Sequence, residues 1–209
     1  MVVFFLFEIC NFAYSFLVIK SFNMKKWTKF VIAISLLVLL FKLFFSFRLE
    51  KQHARPGAIP LSTSIKEEIR MNTERKNIEE IIDYCVDFTA SKLRFTTKAQ
   101  VIDLDNSISK THCVGYAKTC ASICNYAFQA NNVPATAKPV VGQVYFKYLP
   151  LNVCEVLSGI GRLIGSQSMI NFTKNHDFVE INTNTKKIYV DACAYDYLYD
   201  DLRSIEIKK

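Results

Sequence analysis

Two long apolar runs stand ahead of everything else in this chain and limit what the rest can fold into. Residues 2–19 are apolar apart from Glu8, Asn11 and a few small polar residues, and residues 30–47 form a second run interrupted by Lys42. Each approaches the roughly 20 residues needed to cross a bilayer. Between them, residues 20–29 hold Lys20, Lys25, Lys26, Lys29 and Trp27. Basic loops are retained in the cytoplasm and tryptophan favours the interface, so this loop is expected inside and the chain beyond residue 47 outside. A second start is also compatible: Met24, followed by Lys25, Lys26 and Lys29 and then apolar residues, has the form of a secretory signal or uncleaved anchor. Both readings make the bilayer a partner of the N-terminal region and leave residues 48–209, a linker followed by a folded domain, on its far side.

Charge supports this division. Of the net charge of +7, residues 1–55 contribute +6 (eight Lys/Arg against two Glu), leaving +1 for the remainder. The basicity flanks the apolar runs, so no nucleic-acid groove is expected. The seven cysteines are odd in number and form no CxxC pair. Cys120 and Cys124, four apart on an expected helix, could hold a metal with His112 and Cys113. Small buried hydrophobes are the expected reading, with no metal and no cofactor.

Along the domain, residues 48–71, with Pro56, Gly57 and Pro60, read as a linker. A helix is expected from near Asn72 or Thr73, both competent caps, with Ile78, Ile81, Ile82, Cys85 and Phe88 or Thr89 as its apolar stripe. A second, largely apolar helix covers residues 114–130 and ends at Asn131-Asn132-Val133-Pro134, where proline forbids continuation. Residues 136–146 read as a strand. Residues 176–182 and 187–193 read as two more, joined by a polar Thr/Asn turn. The expected fold is α+β, with helices on a small antiparallel sheet and the domain spanning residues 72–209.

Three residues on these elements carry the chemistry. Cys113 opens the central helix, where free N–H groups and the positive end of the helix dipole favour a thiolate. His176 opens a strand, and Asp191 lies near the end of the next. If Asn182 pairs with Lys187, paired positions place Phe178 opposite Asp191 and His176 opposite Cys193. All four then share one face, and His176 and Asp191 are diagonal neighbours within side-chain reach. A nucleophile, a base and a carboxylate that orients the base follow in order.

The same residues resemble the transglutaminase-like superfamily, which shares a papain-like arrangement of catalytic parts. Its Cys-x-Gly-Tyr/Phe-Ala helix start corresponds to Cys113-Val114-Gly115-Tyr116-Ala117. Its Gly-Ile-Pro-Ala turn corresponds to Asn132-Val133-Pro134-Ala135. Its His-Ala-Trp-x-Glu strand matches His176-Asp177-Phe178-Val179-Glu180, and its Asp-Pro strand end matches Val190-Asp191-Ala192. The likeness covers about residues 72–195 and departs from the family at Asn132 for Gly, Phe178 for Trp and Ala192 for Pro. It implies Cys113 as nucleophile, His176 as general base and acid, and Asp191 as orienter. The Cys113 backbone N–H is one expected oxyanion donor, with no second donor assigned.

The reaction implied is acyl transfer or hydrolysis on peptide or protein amide bonds, without a cofactor. A membrane-tethered binding or scaffold domain that keeps the triad residues is the alternative. Residues 147–174 form a long insertion directly before His176, apolar at Leu151, Val153, Val156, Leu157, Ile160, Leu163 and Ile164 and loosened by Gly159, Gly161 and Gly165. They are expected either to border the cleft as a lid or to cap the core or rest on the membrane surface.

Overall fold

A computed structural model of the chain describes residues 31, 34–35, 47–96, 102–105, 108–165, 175–198 and 202–207. Ser46–Lys209 form one compact unit and Met1–Phe45 another. The expected spans at 2–19 and 30–47 fall outside the described residues, apart from Val31, Ile34, Ser35 and Phe47. Among the described residues no helix is long and apolar enough to cross a membrane.

The larger unit is α+β. Its main sheet is antiparallel with five strands in the order β1-β4-β5-β6-β7: β1 Phe47–Ala54, β4 Thr136–Phe146, β5 His176–Asn182, β6 Lys186–Val190 and β7 Ser204–Ile207. Two short parallel strands, β2 Leu93–Phe95 and β3 Ser109–Thr111, pair separately. Five helices complete the described residues: α1 Thr63–Thr73, α2 Ile78–Lys92, α3 Cys113–Ala130, α4 Val153–Ile164 and α5 Ala192–Leu198.

α3 is the central helix. Tyr116, Cys120, Ile123, Cys124, Ala127 and Phe128 are buried among Ile81, Ile82 and Cys85 of α2 and Val179, Ile181, Ile188 and Val190 of the sheet. Full burial of one such aliphatic side chain stabilises the fold by about 1.5–3 kcal/mol, so this layer is the main source of cohesion. Cys120 and Cys124 belong to it. The Cys120 side chain draws the Cys124 thiol down, but a hydrogen bond with Cys85 and burial outweigh it and hold that thiol well above its ordinary range. The opposite sheet face carries a smaller cluster of Leu49, Val140, Val144, Phe178, Tyr189 and Leu202.

Residues 48–71 are not a linker. β1 occupies the sheet edge, and α1 follows after a Pro-Gly segment. Along β1 only Leu49 is buried, because the strand is an edge and its outward side chains are charged or polar. α1 buries only Ile65, Ile69 and Thr73, one residue per turn, too thin a stripe to register as a helical period. The next helix starts later than Asn72 or Thr73. Arg75 takes a left-handed φ of 63°, and Asn77 with Glu80 forms a reciprocal capping box of 2.8 and 3.0 Å ahead of Ile78.

β1 leaves the sheet where β4 stops offering partners. The Arg55 N–H donates to Pro139 O at 2.9 Å, and Pro139 has no N–H to return. Beyond it the Asn125 side chain substitutes for a strand: its Oδ1 accepts the Ala137 N–H and its Nδ2 donates to Ala137 O, each at 2.8 Å. On the opposite face, the buried Glu180 accepts from Lys51 Nζ at 2.9 Å and from Tyr189 Oη at 3.2 Å, fixing β1 across the sheet.

Candidate active site

The β5–β6 ladder runs from Asn182↔Lys187 to Val179↔Val190, the register expected from the turn. The second strand, expected to continue through Cys193, ends at Val190 instead, and the pairs Phe178/Asp191 and His176/Cys193 lie beyond the ladder. The cause is Asp191. Its Oδ1 accepts the N–H groups of Cys193 at 3.0 Å and Ala194 at 3.1 Å, capping α5 and turning the chain out of the sheet.

The other oxygen of the same carboxylate meets the imidazole. Asp191 Oδ2 lies 2.6 Å from His176 Nε2, and the two side chains are 2% and 15% exposed. Burial opposes the imidazolium, but the Asp191 carboxylate, joined by the adjoining Cys113 thiol, outweighs it and holds the His176 pKa well above the ordinary histidine range. With Nε2 occupied by Asp191, Nδ1 is the nitrogen left for proton exchange.

Cys113 is the first residue of α3, after His112 as its N-cap. N–H groups in a first helical turn have no acceptor within the helix, so a developing oxyanion beside the thiol would meet at least the Cys113 N–H. Gly115 is fixed by packing, since a Cβ there would collide with the Thr111 side chain. Across the sheet, Gly142 pairs with His176, and a Cβ on Gly142 would collide with Glu50 O and the Phe178 ring. Phe178 therefore lies against bare backbone two residues from His176 and meets Tyr189 edge-on at 5.9 Å.

Among the six described cysteines all are free, and Cys113 alone is partly exposed. Cys154 of α4 and Cys193 of α5 flank the site, but burial pushes both thiols up, Cys193 well above the ordinary range. That distribution selects Cys113 as the thiol available to react. Among the described residues no group of three or more His, Cys, Asp or Glu side chains is placed to hold a metal ion.

Two charged residues not singled out from the sequence join the thiol's surroundings, Asp177 in contact with it and Arg55 in contact with Asp177. Cys113 Sγ donates to Asp177 Oδ2 at 3.8 Å. The Asp177 carboxylate, 6% exposed, is gripped by Arg55, with Nε on Oδ1 and Nη2 3.2 Å from Oδ2. The signal for Asp177 was its position directly after His176; for Arg55 there was none, because it sat in the supposed linker. Arg55 also lines a cleft of about 620 Å³ with Ser122 and Asn125 of α3 and Lys138 of β4, and no triad member borders that cleft.

Of the insertion before His176, α4 is described. Asn152 caps it by accepting the Glu155 N–H at 3.1 Å, and Gly165 ends it in a left-handed conformation with φ 69°. Ile160, Leu163 and Ile164 are exposed. Residues 166–174 lie outside the described residues.

Compared with known proteins, the chain matches no family model, no curated protein and no solved structure.

Proposed function

We propose that this protein is a transglutaminase-like thiol enzyme that transfers or hydrolyses acyl groups of peptide or protein amides, tethered to a membrane by its N-terminal region with the domain on the outer side. The observation that carries this reading is the 2.6 Å contact between His176 Nε2 and the buried Asp191 carboxylate, beside a partly exposed thiol at a helix start. Cys113, His176 and Asp191 stand at the start of α3, the start of β5 and the cap of α5, where the resemblance implies a helix start, a strand and a strand end in that order.

In this mechanism His176 takes the Cys113 proton through Nδ1 as the sulfur attacks the amide carbonyl carbon. The tetrahedral oxyanion is met by the Cys113 N–H. The C–N bond then breaks, His176 gives its proton to the departing amine, and a thioester remains. An incoming water or amine loses its proton to His176 as it attacks the thioester carbon. The C–S bond breaks, and the sulfur recovers the proton. Asp191 holds the ring in one tautomer and stabilises the imidazolium throughout.

Labelling with an electrophilic amide probe tests the reading. Cys113 should be modified in preference to every other cysteine, and Cys113→Ala should abolish capture of amide substrates. Equal labelling of all cysteines, or capture that survives Cys113→Ala, would overturn it and favour a binding module.

A further inference from the structure

We infer that Arg55 and Asp177 form a positioning pair that sets the reactivity of Cys113, an inference that rests on the acyl-transfer reading of the same thiol. The contacts are direct. Asp177 Oδ2 accepts the Cys113 thiol at 3.8 Å, and the same oxygen lies 3.2 Å from Arg55 Nη2, while Arg55 Nε holds Oδ1. The carboxylate is buried at 6% exposure, so its charge is felt strongly at the sulfur, and Arg55, at 35%, is its cation.

The pair is distinct from the triad by construction. His176 and Asp177 open β5, and both reach Cys113 while bonding to different partners. His176 turns to Asp191, while Asp177 turns to the thiol and to Arg55. Cys113 is thus met from β5 by His176 and Asp177. Asp191 lies after β6, Cys193 on α5 and Cys154 on α4, with Arg55 one residue after β1. Of these, Asp177 is the acidic side chain in contact with the sulfur, and its negative charge opposes a second one there. Arg55 offsets that charge. The two residues therefore act on the thiol in opposite directions, as two neutral packing residues would not.

Opposite signs are the test. Full-length protein is labelled with iodoacetamide across pH 5.5–9, and modification is counted per cysteine by mass spectrometry. The Asp177 charge lies 3.8 Å from the sulfur, so removing it changes the rate by about fivefold where water screens it fully and by up to about a thousandfold at an effective dielectric of about 20. Asp177→Asn should accelerate Cys113 labelling by at least about fivefold at pH 6, and Arg55→Gln should slow it. The double variant, which removes both charges, should return toward the wild-type curve. Because Arg55→Gln leaves a buried carboxylate unpaired, unfolding is monitored in the same samples through Cys85, Cys120 and Cys124. Should that variant unfold, Asp177→Asn and the double variant decide the matter. Preferential labelling of wild-type Cys113 with variants that follow its curve, or that all shift in one direction, would overturn the pair alone. Loss of that preference in the wild type would instead overturn the catalytic reading.

Discussion

Asp191 divides its two oxygens between two tasks, capping α5 with one and holding His176 with the other. Asp191→Asn separates these tasks, because the amide oxygen can still accept the Cys193 and Ala194 N–H groups while the negative charge is lost. The chain has three histidines, so the His176 ring can be followed by NMR against His53 and His112. Its titration should move to lower pH in the variant; an unchanged midpoint would mean that the carboxylate does not raise it. The linkage has a definite sign. A group whose folded pKa is raised contributes stability that is fully present below its unfolded value of about 6.5 and is lost as pH rises through the folded value. Wild type should therefore exceed Asp191→Asn in urea resistance most at pH near 6, with the gap narrowing as pH increases. Cys113, His176 and Asp191 were singled out by residue type and order, while the strand period stops at Val190, where β6 ends and Asp191 caps α5 instead. Asp177 was not singled out, its signal being only its position directly after His176, and its cation follows a strand that carried almost no apolar signal.

At the scale of elements, the parts best read from the sequence are those whose signal is local and dense. α3 ends at Ala130, β4 spans Thr136–Phe146 and β5 spans His176–Asn182, all as their apolar patterns and flanking Asn and Pro residues dictate. β1 and α1 were hidden because an edge strand and a thinly buried helix need neighbours before their faces acquire meaning. β6 ended early because a side chain already assigned to chemistry doubled as a helix cap. The fit of α3 is sharpest at Gly115. In an open helix Gly→Ala stabilises by about 1 kcal/mol, but here the methyl would strike Thr111. Gly115→Ala should therefore lower stability by about 1–3 kcal/mol in urea unfolding, the range for overpacking, and a gain would refute the close approach.

For the whole molecule, the division between an apolar, basic N-terminal region and a near-neutral domain motivates one topological prediction. A reporter that is active only in the cytoplasm, fused after Lys209, should be silent, and one active only outside should work; the reverse result would reverse the assignment of sides. Order along the chain has a further consequence. β1 waits for β4, the thiol of α3 contacts a residue 64 positions later, and the capping carboxylate that steadies the imidazole comes later still. Contacts so distant in sequence form late and slowly. On the proposed acyl-transfer reading, a ribosome or export channel would release Cys113 well before His176 and Asp191, so a half-emerged chain would lack its base and orienter. Completion of synthesis then serves as the safety catch.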